Sequence, residues 1–393
     1  MDKKHYPALD GLRGIAALMI VAHHSSQSYV LTSTFDKAYL RATTPLWIGV
    51  DLFFVLSGFL ITNILLDTQE SRNYFKAFYG RRFVRIFPLY YTFLAVLFLI
   101  LPAVGVNLSP DLVHAQVWEW TYTSNIYDAF HNWQDININH FWTLAIEEQF
   151  YLLWPLIIFY ASKKYLKHGV MLALLVIPLL RWGCRSAGVS IMFAYTFTLC
   201  HIDGLLVGAL ISIAFHEGLI EKLKSSRLFS KIRTIDWILA WSLLAFVLVY
   251  CFILTNNQFI FMFMTWTPFG QGFGLTFVSI VLGYSVLRAV SSVPNTLQRV
   301  MSLKYLRVIG KYSYALYVLH APICHWVGTS FPIPSFLQNL SPEWSFAHSI
   351  YIIIVEFILS ILASVISWNI LEKHFLKLKK YFPYQDEGVA QLA

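Results

Sequence analysis

Charge is what this chain has least of. Only 13% of its 393 residues are Asp, Glu, Lys or Arg, about half the share of a soluble domain, while 57% are hydrophobic. So little charge excludes an ordinary water-exposed fold, and continuous apolar runs of bilayer-spanning length take its place. Strict alternation of apolar and polar residues is also missing, which excludes a β-barrel. The four cysteines, Cys184, Cys200, Cys251 and Cys324, lie far apart and mostly inside apolar runs. They offer neither a disulfide framework nor metal-ligand spacing and read as packing residues; no metal is expected. No small-residue cleavage pattern follows the first apolar run, so that run is expected to stay as a membrane span. Internal repeats and low-complexity tracts are absent too.

What is present is an all-α, polytopic membrane bundle. Ten transmembrane helices are expected, at about 11–31, 45–66, 86–106, 146–162, 169–188, 192–215, 236–255, 267–288, 306–328 and 346–370. The formal net charge of +8 would suggest a nucleic-acid partner in a soluble protein, but here the basic residues follow topology. With a cytoplasmic N-terminus, 25 of the 29 Lys and Arg fall on the cytoplasmic side, leaving only Lys37, Arg41, Arg181 and Arg185 outside. The positive-inside rule therefore predicts an even number of spans with both termini cytoplasmic. The membrane portion covers residues 1–380, and 381–393 read as a short, disordered cytoplasmic tail. One outer connection is long, 107–145; it lacks Lys and Arg and is rich in aromatics such as Trp118, Trp120, Tyr122, Trp133 and Trp142. Those rings suit either a sugar-binding platform or an interfacial aromatic belt.

Ionisable groups inside apolar runs are costly and point to function. The first span, Asp10-Gly-Leu-Arg-Gly through His23-His24, carries Arg13 and His24 eleven residues apart. On a helix that places them on one face, roughly 16 Å apart along the axis, about half the depth of a bilayer core. The second span holds Asp51 near its outer end, either a functional carboxylate or a helix cap. Arg82 and Arg85, in Arg81-Arg82-Phe-Val-Arg85-Ile-Phe-Pro88, share a helical face. They could clamp a cytosolic phosphate bidentately or simply anchor to anionic lipid. The fourth span opens His140-Phe-Trp-Thr-Leu-Ala-Ile-Glu147-Glu148; Glu147 could orient a histidine, while Glu148 suits the headgroup region. His201, Asp203 and His320 lie within spans, and Asp203 is expected to be a structural group paired across helices.

Taken together these stretches resemble the membrane acyltransferase 3 family. The resemblance runs over nearly the whole chain: Arg13-x10-His24, Gly49-Val-Asp51-Leu-Phe-Phe-Val-Leu-Ser-Gly, Arg82-x-x-Arg85, Phe141-Trp142-Thr143-Leu-Ala-Ile-Glu147, and Ser313-Tyr-Ala-Leu-Tyr-Val-Leu-His320. His201 stands where the family often has Arg, and Thr143 where Ser is usual. The chain looks like the stand-alone type, without a fused SGNH domain. The resemblance implies transfer of an acyl group, usually acetyl, from cytoplasmic acyl-CoA to a hydroxyl of a glycan or lipid-linked saccharide beyond a bacterial plasma membrane. Acetyl-CoA would be a donor substrate, and no resident cofactor is implied. Carried over residue by residue, His24 and Glu147 would be catalytic and Arg13, Arg82 and Arg85 would bind acyl-CoA. Asp51, Trp142, Asp203 and His320 would support the site or the acceptor. A small glycosylated or macrolide metabolite is the alternative acceptor. A proton-coupled transporter is the competing class, and the missing inverted repeats speak against it.

Overall fold

The computed structural model describes residues 5–28, 33–131, 138–219, 267–291, 294–332, 334–335 and 345–385. Among them there are helices and no strands. The principal helices are α1 (Pro7–Ser25), α2 (Thr34–Thr43), α3 (Gly49–Asp67), α4 (Tyr74–Ala95), α5 (Pro110–Trp120), α6 (Ser124–His131), α7 (Trp142–Tyr160), α8 (Lys163–Ser186), α9 (Asp203–His216), α10 (Leu275–Val290), α11 (Lys304–Ser330) and α12 (Ser345–Ser367). Among the described residues, five helical stretches are long and apolar enough to cross a membrane: Thr34–Asp67, Tyr74–Ala103, Lys164–Ser186, Gly270–Val290 and Phe346–Tyr381. The expected span at 236–255 lies outside the described residues.

The chain forms two compact units, one of residues 1–53 and 288–369 and the other of 54–287 and 370–393. In the first, α1 and α11 run parallel along most of their length. Glycines make this possible: a Cβ on Gly310 would lie 1.8 Å from the Asp10 carbonyl oxygen, and one on Gly14 would lie 2.3 Å from that of Leu306. Such small-residue contacts let helix backbones touch where no hydrophobic drive separates helix from lipid. Against α11 packs α12, antiparallel, with Lys311 over the Trp368 ring at one end and Phe331 beside Tyr351 at the other.

The α12 helix is inside-out by soluble standards. Ser349, Glu356, Ser360 and Ser364 are buried, whereas Ile354, Ile358, Leu362 and Ile366 are exposed. An apolar outer face with a polar inner one is the arrangement lipid requires, since unpaired polar groups are costly in hydrocarbon. On α8 of the second unit Leu172, Leu175, Val176 and Leu179 likewise face outward.

Three expectations change in the second unit. The third span starts at Tyr74 rather than near 86, so Arg81, Arg82 and Arg85 lie well within α4. The first residues of the expected tail are held on α4: Arg81 donates to the Phe382 carbonyl at 3.0 Å and Asn73 to that of Pro383 at 2.7 Å. Gly80 leaves room for the Phe382 ring. The sixth span, expected unbroken over 192–215, is interrupted at Phe197, whose backbone is extended, and again at Ile202. The carbonyls freed there find other donors: Asn125 bonds the Thr196 oxygen at 3.1 Å and Arg181 that of Cys200 at 2.6 Å. A break at membrane depth is tolerated when protein groups satisfy it in this way.

Candidate active site

The close contact of α1 and α11 brings two histidines together. The His320 Nε2 lies 3.1 Å from His24 Nδ1. Their tautomers follow from what surrounds them. His320 Nδ1 faces two carbonyl oxygens, of Leu316 at 3.0 Å and Tyr317 at 2.8 Å. Neither oxygen can donate, so the proton of neutral His320 sits on Nδ1 and its Nε2 is an acceptor. His24 Nδ1 faces that acceptor and also the Ile20 carbonyl at 3.0 Å, so His24 too carries its proton on Nδ1. The lone pair of neutral His24 is thereby assigned to Nε2. His320 thus contacts His24 directly, a partnership the sequence left open.

The neighbouring His23 is tied elsewhere. Its Nδ1 donates to the Thr43 carbonyl at 3.3 Å and its Nε2 accepts from Gln27 at 3.0 Å. Both nitrogens serve the α1–α2 turn, which separates the two histidines by geometry as the Arg13-x10-His24 spacing did by pattern. Arg13 is half-buried on α1. Asp51 is buried in the first turn of α3, more deeply than a cap in the headgroup region would be.

The second unit gathers the other group of predicted residues. Arg82 on α4 lies over the rings of Phe78 and Tyr151, 5.8 and 5.4 Å from their centroids. The Tyr151 hydroxyl pairs with Ser57 of α3. Glu147, Glu148 and Arg82 all act electrostatically on Tyr151, so the arginine of the Arg-x-x-Arg element and the Glu147-Glu148 pair belong to one charged cluster. Glu148 is therefore part of that cluster as well as Glu147. Arg85 follows one turn later, half-buried.

Asp203 is paired across helices with Arg181, a residue that charge counting assigned to the outer side. Arg181 is fully buried and donates to Asp203 Oδ2 at 2.9 Å, to Thr276 at 2.6 Å, and to the carbonyls of Gly272 and Cys200. His201 donates to the Tyr195 carbonyl and is enclosed by Phe54, Trp142 and Tyr195. Trp142 is thus a wall around His201, buried rather than offered as an open sugar platform. The other loop aromatics are packed too: Tyr122 stacks on Tyr90 at 4.2 Å and Trp120 on Tyr91 at 5.8 Å, holding the connection to α4. Within it α5 and α6 bury Glu119 and Asp128. Burial, and then the nearby Asp128 charge, push the Glu119 carboxyl up to about 8 despite a hydrogen bond from Tyr90; burial raises Asp128 to about 7.

The structure thus describes an oriented imidazole in one unit and, separately, a basic, carboxylate-bearing cluster in the other. Residues 6–369 match the acyltransferase domain family, and the chain belongs to it. Among characterised relatives, it is 30% identical to the peptidoglycan O-acetyltransferase OatA of Listeria monocytogenes, over 82% of this chain and 50% of that protein. It is 27% identical to the O-acetyltransferase OatA of Staphylococcus aureus, over 94% of this chain and 57% of that one. The putative peptidoglycan O-acetyltransferase YrhL of Bacillus subtilis is also 27% identical, over 81% and 49%. The chain thus spans about half the length of the curated relatives it matches. No solved structure matches it.

Proposed function

We propose that this protein transfers an acyl group, acetyl in the simplest case, from cytoplasmic acyl-CoA to a hydroxyl of a glycan on the far side of a bacterial plasma membrane. The relatives' names favour peptidoglycan as that glycan. The observation that carries the reading is the His320–His24 pair, which leaves the His24 lone pair on Nε2.

Arg82, Arg85 and Arg13 would hold the nucleotide phosphates at the cytoplasmic surface, as bidentate donors do. The thioester would then reach His24. As a general base, His24 Nε2 takes the proton of the acceptor hydroxyl while its oxygen attacks the thioester carbonyl; the C–S bond breaks and the thiolate recovers the proton. As a nucleophile, Nε2 itself displaces the thiolate and passes the acyl group to the hydroxyl in a second step. Glu147 is proposed as a second catalytic residue, on the strength of its place in the family pattern.

The test is acetyl transfer from labelled acetyl-CoA to a soluble peptidoglycan fragment by purified protein. His24→Ala is expected to abolish transfer while acetyl-CoA still stabilises the protein thermally; Arg82→Ala is expected to lose that stabilisation. A folded His24→Ala protein that transfers at the normal rate would refute the reading. Label retained on the protein without acceptor favours the nucleophile, and a strictly ternary mechanism the base.

A further inference from the structure

One turn beyond His24 on the same side of α1, the first unit contains a carboxylate to which neither the resemblance nor the mechanism above assigns a part. Glu356 lies at the middle of α12 with no solvent exposure. One of its carboxylate oxygens accepts a hydrogen bond from Ser28. The other, Oε2, is buried and has no hydrogen-bond partner among the described residues. Cys324 of α11 and Tyr39 of α2 both lie within its electrostatic reach, and the Tyr39 hydroxyl is 2.7 Å from Ser25. Ser28 and His24 are four residues apart, and on α11 Gly328 receives the Ser28 carbonyl just as His320 meets His24. Glu356 therefore meets the α1–α11 seam at Ser28, about one helical turn beyond the His24–His320 pair.

A half-satisfied carboxyl in this setting costs stability. An unpaired buried acceptor forfeits the hydrogen bond that water would give it, and the loss is larger when the group is charged. Ser28 does not need Glu356, since its hydroxyl also reaches the Ser25 carbonyl at 2.8 Å. An apolar side chain of similar size would fill the position at lower cost, so stability does not explain the group.

We infer that Glu356 anchors the acceptor sugar. Its Oε2 accepts a hydrogen bond from a hydroxyl next to the one that reacts, and so presents the reacting oxygen to His24 Nε2. A carboxylate suits this, because a sugar offers several hydroxyl donors on adjacent carbons and the carboxylate here is already oriented by Ser28 at its other oxygen, Oε1. No bond is made or broken at Glu356; it is a positioning residue that contacts substrate. The inference rests on the proposed glycan acyl transfer.

The experiment replaces Glu356 with leucine and, separately, with glutamine. Melting temperature, acetyl-CoA affinity, and KM and kcat are measured for a soluble peptidoglycan disaccharide fragment. Glu356→Leu is expected to melt at or above the wild-type temperature, to bind acetyl-CoA unchanged, and to raise the fragment's KM at least tenfold. Glu356→Gln, which keeps a polar terminus, is expected to fall between the two. An unchanged acceptor KM in a folded Glu356→Leu protein overturns the inference, as does a lowered melting temperature with donor and acceptor constants shifting together. If the wild-type protein itself binds acetyl-CoA but acylates no glycan, the underlying functional reading fails, and the inference with it.

Discussion

Replacing Gly310 with alanine adds one methyl group about 15 Å along α11 from His320, at 1.5 Å per residue. That methyl would sit 1.8 Å from the Asp10 carbonyl oxygen, a backbone atom that cannot rotate aside. Restoring an ordinary carbon–oxygen contact of about 3.3 Å requires the helices to part by about 1.5 Å. If α11 pivots at Gly328, where it again touches α1 closely, His320 is about 12 Å from the pivot and Gly310 about 27 Å. The His24–His320 separation then opens by about 0.7 Å from its present 3.1 Å; a rigid translation would open it by the full amount. Either result takes the pair past hydrogen-bonding range and frees the His24 ring from its assigned tautomer. Sub-ångström to ångström misplacement of a reacting group costs about 10- to 100-fold in rate. The assay is kcat for acetyl transfer, with acetyl-CoA binding and melting temperature recorded in parallel. Gly183→Ala, on α8 with nothing within 4 Å of the added carbon, is the control and should keep its activity. Wild-type activity in Gly310→Ala, or an equal loss in Gly183→Ala, would refute the reasoning.

Two further outcomes concern stability. Asp203→Leu leaves the Arg181 guanidinium buried without its counter-ion and is expected to destabilise the fold by about 3–5 kcal/mol, whereas the double variant Arg181→Met with Asp203→Leu should cost clearly less than Arg181→Met and Asp203→Leu summed. Denaturant unfolding in detergent of the four proteins measures the coupling, and strict additivity would show that the pair does not act as one unit. The second outcome concerns Glu119 and Asp128, raised in the folded chain from 4.5 to about 8 and from 3.8 to about 7. Between those limits the folded state holds protons that the unfolded state releases, so stability of the α5–α6 segment is full below about pH 4 and falls as pH rises to about 8. Hydrogen exchange in that segment, corrected for intrinsic rates, should show protection lost toward pH 8 and a flatter profile in Glu119→Gln; an identical profile in the variant would count against it.

How much of this was legible beforehand depended on contrast. His24, Arg82 and Arg85 stood out because a charge in an apolar run is conspicuous, and the Arg13-x10-His24 pattern of the resembled family separated His24 from His23. His320 was visible but could not be assigned, since its meaning lies in a register between α1 and α11 that the glycines set and no local pattern displays. The interruption at Phe197 has no proline or glycine to announce it; its stability comes from Asn125 and Arg181, both remote in sequence. The burial of Arg181 was not legible because counting charges treats each as lying at a surface, and this one is neutralised inside.

Glu356 shows what a closer reading would use. In a soluble helix the apolar stripe marks the core, and a span that is apolar overall seems to carry no stripe at all. In lipid the rule inverts: the face with small and polar residues is the one that meets protein. Along α12 those residues are Ser349, Glu356, Ser360 and Ser364, seven, four and four apart, and all four are buried. The same pattern on α10, Thr276 and Ser279 three apart, marks the face on which Thr276 meets Arg181 and Asp203. Polar periodicity inside an apolar run therefore locates the interior of such a bundle, and an ionisable residue on that face is where a functional group is to be sought.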